Sequence, residues 1–403
     1  MTRKLLQINP VVRLNTSTGR IMKEIGEAAM SSGWESFIAY SGARDGVPPH
    51  SSRLIPVGNK ADLLCHAAAT RLFDAHGLAS RRATRRLISK IAEIKPDIVH
   101  IHNLHGYFLN YPLLSSYLRQ SGIPVVWTVH DCWLYTGHCY YYCAAGCGKW
   151  KEGCGHCPQK GAFPASWFAD RSAKNWKDKQ EAFSSIDKLT IVPVSEWIRK
   201  EMSQSFLSGK RFQTIHNGID LSVFKPEAAA KSDGTVYLAV STLWHEEKGF
   251  ADLAEIAGML RSDEQLVMVG RMSDEQKKRL PAGVRTVERT SDIAGLAALY
   301  ASATVFLNPT WQDNYPTVNL EAIACGTPVV TYRTGGSPEA IAEGTGCVVR
   351  QGGTMEMLEA ARALSAADRN ATSLACRQHA LNNFDKEKCY ANYIDLYESL
   401  AAR

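Results

Sequence analysis

The stretch "NPTWQDNYPTVNLEAIACGTPVVTYRTGGSPEA", residues 308–340, contains the pattern that decides the fold of the surrounding chain. A β-rich run predicts a strand that ends at Pro309, and a polar loop follows it. A helix is predicted to begin near Pro316, because proline is favoured in the first turn of a helix. The run "PVVTYRT" then predicts another strand, and alternation of this kind is typical of a parallel sheet with crossover helices.

Two carboxylates in this stretch, Asp313 and Glu321, are eight positions apart. Asp313 would lie in the loop, and Glu321 one or two turns into the helix. The backbone amides of residues 314–318 would lie at the N-terminus of the same helix. Amides in this position bind anions and hydroxyl groups. The spacing is a weak indicator of function when taken alone. The motifs "ACGTPVV" and "TGGSPE" that follow it strengthen the prediction of a ligand site.

The same alternation of strand and helix patterns extends over nearly the whole chain. The first half has candidate strands "LLQIN", "SFIAYS", "DIVHIHN", "PVVWTVH", "LTIVPVS" and "FQTIHN". The second half has "TVYLAVS", "QLVMVG", "TVFLNP", "PVVTYRT" and "GCVVR". We therefore predict an α/β protein with two Rossmann-like doubly wound domains that face a central cleft, and ligands at the carboxyl ends of the strands.

The predicted domain boundaries follow from composition. Residues 1–220 form the first domain, and residues 221–234, which lack a core pattern, form a linker. Residues 235–384 form the second domain, and residues 385–403 form an amphipathic terminal helix. At 403 residues, with 45% hydrophobic and 21% charged residues, the chain has the length and composition of a two-domain globular protein.

The net charge of +6 is distributed unevenly. Residues 1–220 carry 28 Lys and Arg against 17 Asp and Glu, whereas residues 221–403 carry 18 against 23. The first half is therefore expected to favour an anionic partner. No run of 18 apolar residues appears, and the first residues lack the apolar stretch of a signal peptide, so we predict a cytoplasmic protein.

The most basic stretch is "SRRATRRLISK", which places Arg81, Arg82, Arg85 and Arg86 at helical spacing. A solvated helix face explains this pattern, and so does docking on an anionic membrane surface. The second interpretation would make the protein peripheral on the inner face of the cytoplasmic membrane. Nucleic acid is not expected as a partner, since nothing nearby resembles a base-reading module.

Six cysteines lie within residues 132–157, in a predicted insertion of the first domain. Four of them, Cys139, Cys147, Cys154 and Cys157, have the spacing C-x7-C-x6-C-x2-C. This spacing is compatible with a structural zinc ion. Reduced thiols buried among aromatic side chains are the main alternative, and redox chemistry is a third. Stable disulfides are not expected in the cytosol.

The motifs in residues 308–340 resemble those of the retaining GT-B glycosyltransferases of the group 4 type, which use nucleotide sugars. That family has E-x7-E, then A-x-G-x-P-V, then G-G-x-x-E. Asp313-x7-Glu321, "ACGTPVV" and Gly335, Gly336 and Glu339 match in order, with Asp in place of the first Glu. The cysteine-rich segment is similar to that of a subgroup which builds exopolysaccharides of the colanic-acid kind, in which Cys132 and Cys143 are not part of the pattern.

The resemblance implies roles for individual residues of the second half. Glu321 would bind the ribose of the nucleotide, and Lys248 would bind the diphosphate. Asp313 would hold the donor sugar together with the backbone amides of the following loop. The residues of that loop and helix start are Asn314, Tyr315, Pro316 and Thr317. The family's usual arginine before Lys248 is absent, and Arg271 is the expected substitute.

The resemblance also implies contacts from the first half. Thr18 and Gly19 open the first helix, where the family has a glycine-rich loop at the phosphates. His130 closes the strand "PVVWTVH", where the family has a histidine that contacts the donor sugar. The cysteine-rich insertion follows His130 directly and is expected to influence the choice of acceptor.

The implied reaction transfers a sugar from a nucleoside diphosphate to a hydroxyl of a glycan or lipid-linked acceptor, with retention at the anomeric carbon. In the front-face route the departing phosphate oxygen takes the acceptor proton. Asp313 as a covalent nucleophile is the competing mechanism. No DxD-type motif is present, so no catalytic metal is expected. The alternatives are a nucleotide-sugar 2-epimerase of the same fold and a zinc-dependent nucleic-acid or scaffold module.

Overall fold

The computed structural model of the chain describes residues 2–13, 16–43, 46–227 and 234–402. By its internal contacts the chain divides into two compact units. The first comprises Met1–His216 and Tyr390–Arg403, and the second comprises Asn217–Cys389. Of the linker predicted at residues 221–234, residues 228–233 lie outside the described part of the chain.

The first unit is built on one parallel sheet. Its strands are β1 (Lys4–Ile8), β2 (Glu35–Ser41), β3 (Arg53–Val57), β4 (Ile98–Ile101), β5 (Val125–Val129), β6 (Leu189–Pro193) and β7 (Arg211–Phe212). Its helices before the second unit are α1 (Ser17–Ser31), α2 (Lys60–Phe73), α3 (Arg81–Ile94), α4 (Tyr111–Ser121), α5 (Ser172–Ser184) and α6 (Glu196–Met202). The strand order is β3-β2-β1-β4-β5-β6-β7. Strands β4, β5 and β6 are buried along their whole length, as expected for a parallel sheet covered on both faces.

The second unit repeats this architecture. Its strands are β8 (Thr235–Leu243), β9 (Glu264–Arg271), β10 (Arg285–Val287), β11 (Val305–Asn308), β12 (Val329–Tyr332) and β13 (Gly346–Val349). Its helices are α7 (Phe250–Gly258), α8 (Asp274–Arg279), α9 (Ile293–Ser302), α10 (Thr317–Ala324), α11 (Thr354–Ala366) and α12 (Arg369–Asn383). The strand order is β10-β9-β8-β11-β12-β13, with parallel pairs throughout. The predicted α/β class with two doubly wound sheets is confirmed.

The last helix, α13 (Lys386–Ala401), belongs to the first unit from Tyr390 onwards. Its Tyr397 hydroxyl lies 2.7 Å from Nδ1 of His100, and the Tyr393 hydroxyl lies 2.9 Å from Oγ1 of Thr128. Because both partners sit on buried strands, α13 forms part of the core of this unit. No helix in the described ranges is long and apolar enough to cross a membrane.

Candidate functional site

An ion pair occupies the carboxyl edge of the second sheet. The strand order reverses between β8 and β11, and the chain after these two strands carries Lys248 and Asp313. The Lys248 Nζ lies 2.8 Å from Oδ2 of Asp313, and the two side chains are 32% and 19% exposed. Because ligands of doubly wound sheets bind outside the carboxyl ends of the strands at such a reversal, this pair is well placed to meet one.

Glycines allow the backbone around this pair to approach closely. Gly249, which follows Lys248, has φ 76°, and a Cβ there would overlap the carbonyl oxygen of Pro309. Gly335 has φ 53°, and a Cβ there would overlap the carbonyl oxygen of Asp313. These conformations favour glycine over any other residue. The "TGG" motif thus forms the turn that packs against the backbone of Asp313.

Helix α10 begins directly beside Asp313. The Tyr315 amide donates to Oδ1 of Asp313 at 3.2 Å, and Pro316 caps the helix without a side-chain hydrogen bond. Glu321, one turn further on, is 4% exposed and accepts a hydrogen bond from the Tyr300 hydroxyl at 3.1 Å. Asn314 and Tyr315 are buried, and Thr317 is half-buried at the start of the helix. The predicted residues of this loop therefore lie around one helix N-terminus.

The structure brings a second cation to the Lys248 turn, which sequence reasoning missed. Arg271 lies at the end of β9 with an exposed side chain. Arg279 pairs with Glu246 in that turn, at 3.0 Å, and its guanidinium lies 5.0 Å from the centre of the Phe250 ring. No local pattern predicts this contact, because Arg279 lies at the end of α8, far from the turn along the chain.

The first unit presents a helix start at the equivalent place after β1. Thr16 caps α1, and its side chain accepts from the Gly19 amide at 3.3 Å. A Cβ on Gly19 would overlap the carbonyl oxygen of Arg13, so this position requires glycine. Thr18 is half-buried in the first turn. The neighbouring residues 14–15 of the predicted phosphate loop lie outside the described residues.

His130 follows β5 and belongs to a chain of hydrogen bonds. Its Nε2 lies 3.1 Å from Nδ1 of His102, and Nε2 of His102 lies 3.0 Å from Oε1 of Gln7. Burial lowers the pKa of His130 from 6.5 to about 4, and it lowers the pKa of His102 well below 6.5. Both imidazoles are therefore neutral at neutral pH.

The hydrogen-bond network assigns the tautomer of His130. Gln7 donates from Nε2 to the carbonyl of Met22 at 3.0 Å, so its Oε1 accepts from His102. A neutral His102 that donates from Nε2 must accept at Nδ1, and His130 must then donate from Nε2. Nδ1 of His130 consequently carries a lone pair. It can accept a hydrogen bond from a hydroxyl group.

Four of the clustered cysteines line one small cavity. These are Cys139, Cys147, Cys154 and Cys157, the four that have the predicted spacing. The Cys139 thiol forms a hydrogen bond with Cys157, and this bond lowers the pKa of Cys157 to about 7. The same bond, with burial, raises the pKa of Cys139 well above its usual value. Among the described residues, no group of three or more His, Cys, Asp or Glu side chains is arranged to hold a metal ion.

Sequence reasoning missed two residues that hold this segment in place. Lys179 on α5 is 1% exposed, and its Nζ donates to the carbonyls of Trp133 at 2.6 Å and Thr136 at 2.9 Å. Burial lowers the pKa of Lys179 to about 7. His138 lies 2.6 Å from Asp74, a residue more than 60 positions earlier. Such partners are invisible in a local pattern, because they come from other elements.

The four arginines of the basic stretch lie on α3 and are all exposed. Helix α3 buries Ala83, Leu87 and Ile91 on its opposite side. The predicted amphipathic helix is thus present, with its cations in solvent.

Several solved structures resemble this chain over almost its whole length. Sucrose-phosphate synthase from Thermosynechococcus elongatus aligns with 99% of this chain and 99% of its own, at a TM-score of 0.72 and 17% identity. Anabaena HepE, solved in complex with UDP, covers 99% of this chain and 100% of its own, at a TM-score of 0.65 and 14% identity. The fold is therefore the GT-B glycosyltransferase fold.

The sequence comparisons give the family. Residues 18–223 match the family described as Glycosyltransferase Family 4, and residues 234–367 match the one described as Glycosyl transferases group 1. A relative that matches along 98% of this chain and 100% of its own, at 22% identity, is WcaC of Escherichia coli K12, named for glycosyl transfer in colanic acid biosynthesis. This chain belongs to glycosyltransferase family 4, and it is a glycosyltransferase. The resemblance to such enzymes is confirmed, while retention and the roles of Asp313 and Glu321 stay predictions.

Proposed function

We propose that this enzyme transfers a sugar, with retention at the anomeric carbon, from a nucleoside-diphosphate sugar to a hydroxyl of a glycan or lipid-linked acceptor in cell-surface polysaccharide assembly. The observation that carries the proposal is the Lys248–Asp313 pair beside the start of α10. A cation, a carboxylate and the backbone amides of a helix N-terminus within one loop cluster match a diphosphate and a sugar. The UDP complex of HepE and the name of WcaC support the donor and the pathway.

In this proposal Lys248 moves from Asp313 to the donor diphosphate. Its ammonium group then stabilises the negative charge that grows on the leaving phosphate. Arg279 and Arg271 are the candidates for a second cation. The freed carboxylate of Asp313, with the amides near Asn314, accepts and donates hydrogen bonds to the sugar hydroxyls.

Glu321 binds the ribose hydroxyls in the same proposal. The Tyr300 hydroxyl donates to Oε2 of Glu321 at 3.1 Å and so orients this carboxylate for the ribose. Thr18 and Gly19 offer their amides to the phosphates, and Nδ1 of His130 accepts from a sugar hydroxyl. The acceptor proton passes to the departing phosphate oxygen, and no base from the protein is required.

The enzyme is proposed to act at the inner face of the cytoplasmic membrane. The exposed arginines of α3 would contact anionic lipid headgroups there, each Lys or Arg near such a surface contributing about 1 kcal/mol. The structural zinc ion on the four cysteines stays a prediction, and the transfer reaction does not require it. Nucleic acid has no role in it.

Thermal shift with GDP-, UDP- and dTDP-sugars tests donor binding. A ligand at a hundredfold excess over its Kd stabilises the folded protein by about 2.7 kcal/mol, which gives a clear rise in Tm. Glu321→Gln should abolish that rise for the donor that binds. The control is Glu343→Gln, an exposed carboxylate of the same unit, which should preserve it. The proposal fails if no nucleotide sugar stabilises the protein, or if Glu321→Gln binds and transfers as the unaltered enzyme does.

The epimerase alternative is not favoured, since the matched family and the relatives above are transferases. It predicts release of an epimerised sugar without any acceptor. Incubation of the donor alone, followed by analysis of the released sugar, distinguishes the two reactions. The zinc-dependent nucleic-acid module leaves the Lys248–Asp313 pair without a role.

A further inference from the structure

Exposed apolar side chains are concentrated on one part of the first unit. Among the described residues twelve large hydrophobic side chains are exposed, and six of them belong to α2 or to residues 163–168. We call five of these six the aromatic patch. Its members are Leu64, Leu72, Phe73, Trp167 and Phe168. Trp167 is 62% exposed, Phe168 72% and Phe73 63%, which is an unusual accumulation for a soluble surface.

The loop of the aromatic patch is fixed to the end of α2. The Trp167 amide donates to the carbonyl of Arg71 at 2.7 Å, so the loop is fixed to the end of α2. The Arg71 guanidinium lies 5.5 Å from the centre of the Trp167 ring. On α2 itself, Leu64 and Leu72 are eight positions apart, on one face of the helix and about 12 Å from each other.

Two cations contact the aromatic patch. Lys160 donates from Nζ to the carbonyl of Phe168 at 3.1 Å, and Arg71 contacts Trp167. Residues 60–90 carry seven Lys and Arg against two Asp. One of these two, Asp74, is buried against His138, so it does not offset the surface charge.

The arginines of α3 begin close to the same helix. The Ser80 side chain, at the start of α3, lies 2.8 Å from Nδ1 of His66 on α2. A Cβ on Gly58 would contact both Asp62 of α2 and Ala83 of α3. The first turns of α2 and α3 are therefore neighbours, and the cations of α3 extend the basic surface beside α2.

We propose that the aromatic patch inserts into the interface of an anionic lipid bilayer, with Trp167, Phe168 and Phe73 at the boundary between headgroups and acyl chains. Arg71, Lys160 and the α3 arginines bind the lipid phosphates. The combination of exposed Trp and Phe with a predominantly basic rim is the pattern by which surfaces bind membranes without crossing them. This docking rests on the membrane location in the proposed function, and it adds the apolar part of the contact.

Flotation with vesicles of phosphatidylcholine, alone or mixed with phosphatidylglycerol, tests the proposal on the full-length protein. The unaltered protein should float with the mixed vesicles, and less so at high salt. Trp167→Ser with Phe168→Ser should weaken this binding by about 10-fold or more. The control pair, Met355→Ser with Leu374→Ser, removes side chains that are 51% and 70% exposed on the second unit, and it should bind as before.

A second variant separates the charged part of the contact from its apolar part. It combines Arg81→Gln, Arg82→Gln, Arg85→Gln and Arg86→Gln. It should lose the preference for phosphatidylglycerol and the salt dependence, since these come from charge. The proposal is overturned if the unaltered protein does not bind the mixed vesicles, or if the Trp167/Phe168 variant binds them equally well. A dimer that the same variant converts to a monomer would also overturn it, by identifying the face as a contact between copies.

Donor binding by the same variant is measured as well, so that a failure of docking can be distinguished from a failure of the proposed function. The Trp167/Phe168 variant should keep the Tm of the unaltered protein and its thermal shift with the nucleotide sugar. Loss of vesicle binding with donor binding intact supports docking. Vesicle binding without any donor binding would contradict the proposed function and leave the docking result standing.

Discussion

The six strands of the second sheet have the same order as the first six strands of the first sheet, but the carboxyl edges of the two sheets use different chemistry. In the second unit the edge carries a partly exposed ion pair, Lys248–Asp313. In the first unit the edge carries His102 and His130, whose buried rings are neutral and joined by a hydrogen bond. Burial favours the uncharged imidazoles at the first edge. In the proposed function, the ion pair binds the phosphates and the sugar, and His130 binds a sugar hydroxyl.

Of the changes predicted here, loss of the Lys248 cation should have the largest effect on activity. Lys248→Met is expected to lower kcat by about 100-fold or more, because the leaving phosphate loses its stabilising charge. Its folding stability should change by about 1 kcal/mol at most, since the pair is partly exposed. The matched control is Lys386→Met, which breaks the 2.7 Å pair with Asp220 in the same unit. Steady-state kinetics and urea unfolding check both, and equal activity losses in the two variants would contradict the assignment.

Acid should destabilise the first unit before the second. His66 and His130 have pKa values lowered by burial from 6.5 to about 4. The unfolded chain therefore binds more protons between these values, so stability is lost as pH falls from 6.5 towards 4. Each shift corresponds to about 3 kcal/mol. Of the twelve histidines, ten lie within residues 1–216.

Hydrogen exchange of peptides from each unit, followed as the pH is lowered, measures this difference. Peptides from β4 and β5 should lose protection before those from β11 and β12. Changing the two histidines of the second unit, His245→Gln with His379→Gln, should leave the order intact. Simultaneous loss of protection in both units would count against a role for the buried histidines.

Changing the partner of His130 should have a smaller effect. His102→Leu removes the acceptor that fixes the tautomer of His130, and kcat should fall by about 10-fold. His102→Gln supplies an amide oxygen in its place and should retain more of the activity. As a positioning residue, His102 should alter the pH profile of kcat along with its magnitude. If the two variants have identical profiles and rates, the tautomer assignment is wrong.

The smallest expected effect is local to the cysteine cavity. The hydrogen bond from Cys139 lowers the pKa of Cys157 to about 7, so alkylation of Cys157 should have its midpoint near that pH. Cys139→Ala removes the donor and should move the midpoint upwards, and Cys157→Ser should remove this labelling. Mass spectrometry of iodoacetamide-treated protein measures it. Protection of Cys157 that is lost only after a chelator is added would support the zinc prediction instead.

Much of the second unit could be predicted because its signals are local. The loop and helix around Asp313 and Glu321 lie within one stretch of 33 residues, and Gly335 belongs to the same stretch. Strand periodicity and a proline at the helix start identify these elements without knowledge of the rest of the chain. The partner of Lys248 lies 65 positions away along the chain, so no local pattern predicts that contact.

The first unit was less predictable because its decisive contacts are long-range. Gln7 orients His102 from 95 positions away, and Lys179 holds the carbonyl of Trp133 from 46 positions away. The zinc prediction depends on the spacing of the cysteines in the sequence. Spacing fixes which thiols can approach each other, but the packing around Lys179 and His138 decides how they are arranged.

The sequence by itself determined the α/β class, the succession of parallel strands and the residues that carry charge at the second edge. Strand and helix periods are local properties, and they follow from side-chain direction along the backbone. Only the tertiary structure decided which histidines are neutral, which cation meets the Lys248 turn and which apolar side chains remain in solvent. Protonation and exposure depend on what surrounds a side chain, and those neighbours come from distant parts of the chain.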